Sequence, residues 1–125
     1  MSLCFCLIFA LAACKPPNKN QQSDSDSVLI DLRLRAAPSL GAADVEVLIT
    51  EDGQAVSGAQ VELVGDMTHA GMIPVLSSTQ DVGGGLYQSE GFEFTMAGDW
   101  IISAEVVLPD GDKQLAELKV TVPSR

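Results

Sequence analysis

Apolar and polar residues alternate with a period of two in several segments between Val28 and Val122. In the first of these segments, Ile30, Leu32 and Leu34 alternate with charged neighbours. Successive side chains of a β-strand point to opposite faces, so this alternation is typical of strands with one buried face. The region shows no helical period. The pattern therefore predicts an all-β fold.

About seven such segments occur, and Gly, Asp and Pro residues separate them. The predicted strands include Ile30, Val45, Val61, Leu86, Phe92, Trp100 and Leu115. Turns are expected at Glu51–Gln54, Gly83–Gly85 and Pro109–Asp112. Strands of this number and spacing predict an immunoglobulin-like antiparallel β-sandwich over residues 28–125, with Trp100 in its core. Ser77 is expected, with Ser78, to lie in a loop.

The N-terminal segment is apolar from Leu3 to Ala13 and ends in the run Leu11-Ala12-Ala13-Cys14. Small residues before a cysteine form a bacterial lipobox, in which a signal peptidase cleaves before the cysteine once its sulfur carries a lipid. The segment departs from that pattern because no Lys or Arg precedes the apolar run. A short buried helix is the alternative interpretation.

Cleavage at Cys14 would divide the chain into three parts. Residues 1–13 would be the signal peptide, and residues 14–27 the lipidated cysteine and a flexible polar tether. Residues 28–125 would form the folded domain. We therefore expect a protein of the cell envelope that is held to a membrane through its lipid. Because Lys15 rather than an Asp follows the cysteine, the outer membrane, facing the periplasm, is the expected place in a Gram-negative host.

The net charge and the cysteine content of the chain exclude some classes of function. The chain has 17 acidic and 7 basic residues, a formal net charge of −10. Phosphate-rich partners are repelled by such a charge, so nucleic acid is not an expected partner. Cys4 and Cys6 precede the lipobox cysteine Cys14, and residues 28–125 contain no cysteine. The domain therefore offers neither a disulfide nor a thiolate ligand for a metal.

The segment Asp66–Pro74 contains the single His of the chain and two of its four Met residues. Thioether sulfur and imidazole nitrogen are the soft ligands that remain when thiolates are absent, and thioethers favour Cu(I). Met67 and His69 project to one side of an extended backbone, and a turn at Gly71 can bring Met72 toward them. A fourth donor, Met96, is expected at the end of the Phe92 strand. Alternatively, the methionines fill the core and His69 is a surface residue.

Four runs of the sequence resemble one family. They are Gly53–Ala59, Met67–Pro74, Gly85–Tyr87 and Phe94–Trp100. Together they are similar to the YtkA-like and FixH-like domains of bacterial envelope proteins, over roughly Val45 to Val122. The resemblance implies a small immunoglobulin-type sandwich and a part in copper handling or cytochrome oxidase assembly, with an envelope or oxidase-assembly protein as partner. It implies a metal site at Met67, His69, Met72 and Met96.

A second interpretation belongs to a different class. An acidic, lipid-anchored sandwich can also act as a metal-free protein-interaction module that docks through its loops or an open strand edge. Catalysis is the weakest interpretation, because His69 has no clear nucleophile beside it and only Asp66 and Asp99 to orient it. We therefore do not expect an enzyme.

Overall fold

A computed structural model describes residues 27–68 and 71–124 of the chain. The predicted signal peptide, the predicted lipidation site Cys14 and most of the predicted tether lie outside the described residues, and so does His69. Within those two stretches no helix has the length and apolar character needed to cross a membrane.

The described residues form ten strands joined by turns, which confirms the all-β prediction. The strands are β1 (Val28–Leu34), β2 (Gly41–Ala42), β3 (Val45–Glu51), β4 (Gln54–Ala55), β5 (Gln60–Met67), β6 (Val75–Asp81), β7 (Leu86–Ser89), β8 (Glu93–Phe94), β9 (Gly98–Val107) and β10 (Lys113–Val122). Seven of them form one antiparallel path in the order β1-β3-β7-β6-β5-β9-β10. The short β4 pairs with β3, and the short β2 pairs with β8.

The path folds over on itself at β6, which gives the sandwich its two layers. The residues Val75–Ser78 of β6 pair with β5, whereas Thr79–Asp81 pair with β7. One layer therefore contains β1, β3 and β7, and the other contains β5, β9 and β10. At the open ends of the path, β1 lies beside β10. This division of seven strands between two layers is that of an immunoglobulin-like sandwich, as predicted.

Inward-facing residues of both layers form one core. In β9, Trp100, Ile102, Ala104 and Val106 are buried while the residues between them are more exposed. The Phe94 ring makes edge contacts at 5.3 Å between centroids with both Phe92 and Trp100. Trp100 is 1% exposed, which confirms that it is a core residue.

The structure corrects two predictions about individual segments. Ser77, which was expected in a loop, lies in β6 with Ser78 and is 5% exposed. Its hydroxyl oxygen lies 3.1 Å from the backbone carbonyl oxygens of both Ser78 and Glu90, and its single O–H can donate to either, so a polar side chain is satisfied at an inward position. The strand predicted from Phe92 to Met96 contains only Glu93 and Phe94, and Met96 lies in the bend that follows.

Tyr87 connects β7 to the loop between β4 and β5. Its hydroxyl donates to the Val56 carbonyl at 2.8 Å and accepts from the Ala59 amide at 3.1 Å. Burial raises the pKa of Tyr87 above its ordinary value of 10.0, although the hydrogen bond from Ala59 opposes the shift. Because the folded chain holds this proton more tightly than the unfolded chain, this contribution to stability is complete below about pH 10 and is lost as the pH rises further.

Replacing Trp100 by Ala should destabilise the domain severely. Removing a buried Trp leaves a cavity and typically costs about 3–5 kcal/mol, a large share of a small domain's stability. Ile73, which is 86% exposed, provides the matched apolar control, and Ile73→Ala should change stability little. Urea denaturation followed by circular dichroism measures both variants. Equal midpoints for Trp100→Ala and the wild type would contradict the core assignment.

Candidate functional site

All three methionines of the described residues lie at one end of the sandwich, which we call the Met-bearing end. Met67 ends β5 and is paired with Trp100 of β9. Met72 lies in the loop that joins β5 to β6, and this loop starts at the same end because Gly65 pairs with Val75. Met96 lies just before the start of β9. Three predicted metal ligands therefore share one end of the fold.

The three side chains differ in their access to solvent. Met67 is 6% exposed and belongs to the core, whereas Met96 is 48% exposed. Met72 is partly buried and packs against the core. Only the last two residues are exposed to solvent in part, so the predicted ligand set is not equally accessible.

Gly98 and Trp100 determine the positions of two of these methionines. A Cβ added at Gly98 would lie 2.7 Å from Met67 Cε, so the Met67 side chain occupies the space that glycine leaves free. The φ of Gly98 is 131°, a value that residues with a Cβ rarely adopt. The Trp100 Nε1–H donates to the Met96 carbonyl at 2.9 Å. The run from Met96 to Trp100 therefore links the exposed methionine to the core.

The sequence predicted Trp100 in the core but did not predict these two contacts. The one indication of these contacts in the sequence is that Gly98 and Trp100 stand close to Met96 in the chain. What the sequence lacked was the pairing of Met67 with Trp100 across β5 and β9.

The carboxylates near this end are engaged in local hydrogen bonds. Asp66 Oδ1 accepts from the Met67 amide at 2.8 Å, and Asp99 Oδ1 accepts from the Thr121 hydroxyl at 2.7 Å. Within residues 27–68 and 71–124, no three His, Cys, Asp or Glu side chains are grouped so that they could hold a metal ion. In this part of the chain, thioether sulfur is therefore the only soft donor that the Met-bearing end offers.

The fold and the Met-bearing end together define the class as a small immunoglobulin-like β-sandwich with methionines gathered at one end. The chain belongs to the YtkA-like family, because the model of that family matches residues 22–105. The match starts and ends earlier than the predicted resemblance over Val45–Val122, and the last two residues of β9 and all of β10 lie beyond it. A comparison with curated proteins finds no match.

Mild oxidation should distinguish the three methionines. Thioether oxidation follows exposure, so hydrogen peroxide should convert Met96 to the sulfoxide first, Met72 next and Met67 last. Mass spectrometry of proteolytic peptides measures each rate. In urea the three rates should become equal, which controls for local sequence effects. A folded chain in which Met67 oxidises as fast as Met96 would show that Met67 is not held in the core.

Proposed function

We propose that this YtkA-like domain is anchored in the bacterial cell envelope by a lipid on Cys14. The apolar run that ends in Leu-Ala-Ala-Cys and the polar residues that separate it from β1 support this proposal. In a Gram-negative host, the lipid would hold the domain at the outer membrane, facing the periplasm. The anchor would keep a small acidic domain close to other envelope proteins.

We propose further that the domain binds Cu(I) at its Met-bearing end, for copper handling or cytochrome oxidase assembly. The observation that carries this proposal is that Met67, Met72 and Met96 lie at the same end of the sandwich. His69 stands between Met67 and Met72 in the sequence and would add the one imidazole of the chain. Thioether and imidazole donors fit Cu(I) better than Zn(II) or Mg(II).

The accessible methionines of this set are Met72 and Met96, and His69 would add its imidazole to them. Met67 would contribute only if its side chain left its place beside Gly98, because it is 6% exposed. We therefore expect Met67 to be the weakest contributor to metal affinity. Its burial would matter more for the stability of the fold.

A metal-free interaction module is the second candidate function. The burial of Met67 favours it, because core packing alone accounts for that methionine. Large apolar side chains that remain exposed, such as Leu76 at 72% and Leu115 at 61%, also favour it. Neither candidate function is enzymatic.

The Cys14→Ala variant should lose its lipid. The cysteine sulfur is the acylation site in the proposed anchor, so a fatty acid supplied to growing cells should label the wild type and not this variant. Cys6→Ala provides the matched control and should still be labelled, because that cysteine lies within the proposed signal peptide. Labelling of Cys14→Ala at the wild-type level would contradict the anchor.

Cu(I) binding should depend on the accessible methionines and on His69. In a competition titration against a Cu(I) chelator, the double variant Met72→Leu and Met96→Leu should bind at least about tenfold more weakly. Met to Leu changes are nearly isosteric and typically cost under about 1.5 kcal/mol each, so circular dichroism should show an intact fold.

The pH dependence separates imidazole from thioether ligands. An imidazole must be neutral to coordinate, so wild-type affinity should weaken as the pH falls through about 6.5. His69→Ala should lower the affinity at neutral pH and flatten this dependence, since thioethers do not titrate. Equally weak Cu(I) uptake by the wild type and the double Met variant would reject the copper site and favour the metal-free module.

A further inference from the structure

The outer surface of β5, β9 and β10, together with the first half of β6, is acidic, and we call it the acidic face. Cross-strand pairing sets the neighbours on this surface. Its carboxylates are Glu62, Asp66, Asp99, Glu105 and Glu117, and its ammonium groups are those of Lys113 and Lys119. Every one of these residues is exposed. The face therefore carries an excess of negative charge.

Two of the carboxylates oppose each other directly. Glu62 of β5 is the cross-strand partner of Glu105 of β9, which places two like charges side by side on one face. Such pairs are destabilising in a sheet. Neither carboxylate, nor Lys113 or Lys119, takes part in a salt bridge with another residue of the described part of the chain. Among the described residues, no salt bridge therefore relieves this repulsion.

In the opposite layer, by contrast, charged side chains form salt bridges with one another. There Glu46 is paired with two guanidinium groups, those of Arg33 at 3.0 Å and Arg35 at 3.2 Å. The only two arginines of the described residues are thus committed to that layer. The contrast indicates that the charges of the acidic face are not arranged for the stability of the domain alone.

Apolar side chains lie among the carboxylates of this face. Val64 is the cross-strand partner of Leu76, which is 72% exposed. Leu115, which is 61% exposed, is the partner of Glu105 on its other side. Ile101 lies between Asp66 and Lys119. Exposed apolar residues surrounded by charge are typical of a surface that binds another protein.

We propose that the acidic face docks a protein segment that carries Lys or Arg beside apolar side chains. Charge selects this occupant. A second copy of the chain would set carboxylates against carboxylates, and an anionic lipid surface would repel the face. A basic segment would place a cation near the Glu62–Glu105 pair and cover Leu76 and Leu115. This proposal gives the metal-free interaction candidate its partner chemistry and is independent of copper binding.

A synthetic peptide of alternating Leu and Lys residues is the probe. The full chain is held in nanodiscs of neutral lipid, and binding is followed by the shifts of backbone amide NMR signals. Amides of β5, β9 and β10 should shift, while those of β1 and β3 should not. The amount of peptide that binds to the lipid is the same for every variant, so a difference in binding between two variants comes from the protein.

Matched variants test the two components of the face. The pair Glu62→Gln and Glu105→Gln should weaken peptide binding by about threefold or more, whereas Glu51→Gln with Glu93→Gln, the same charge change elsewhere, should not. Leu76→Ser with Leu115→Ser should also weaken binding, whereas Leu29→Ser, at a position that is 66% exposed on β1, should not.

Three results would overturn the proposal. If Glu51→Gln with Glu93→Gln weakened peptide binding as much as Glu62→Gln with Glu105→Gln, the peptide would be held by general charge attraction only. Self-association that Leu76→Ser abolishes would identify a second copy as the occupant, and binding to phosphatidylglycerol vesicles that the same change abolishes would identify a lipid surface. Cu(I) affinity should be unchanged in all these variants, so failure here is distinguishable from failure of the copper site.

Discussion

The packing of Phe92 against Gly65 is the contact on which the Met-bearing end depends. A Cβ at Gly65 would lie 2.6 Å from Phe92 Cζ and 3.4 Å from Trp100 Cζ3, so only glycine leaves room for both rings. Phe94 makes an edge contact with each of these two rings. Trp100, held in this way, donates its indole N–H to the Met96 carbonyl. The place of Met96 therefore follows from the packing of the core.

The sequence predicted those parts of the fold in which one face of a strand is apolar. Alternation identified β1, β3, β5, β9 and β10, because alternate residues of each strand are the more buried ones. It failed at β6, which pairs first with β5 and then with β7 and has the polar Ser77 at its buried position. The hydroxyl of Thr79 in turn donates to the Val61 carbonyl at 2.9 Å. Because these side chains of β6 are polar and bond to backbone carbonyls, the strand lacks the apolar alternation from which it could have been predicted.

The candidate site was predictable in its residue types and in part of its placement. The short spacing of Met67 and Met72 already placed them around one loop. The exposure of each methionine was harder to predict. The alternation of β5 does indicate that Met67 is buried, because Met67 shares a face of the strand with the buried Val61 and Leu63. Gly65 interrupts that apolar series. A glycine is required there because the Phe92 ring, from a distant part of the chain, occupies the space of a Cβ. Contacts of this kind depend on the pairing of strands and not on local pattern.

The acidic face and the Met-bearing end meet along β5 and β9, because successive residues of a strand point to opposite sides. Asp66 lies on the acidic face and Met67 in the core, and in β9 Asp99 and Trp100 have the same relation. A basic segment bound along the acidic face would therefore contact the two strands whose buried sides position Met67 and the Met96 carbonyl. If that end also binds Cu(I), the partner and the ion would be held by opposite sides of the same two strands.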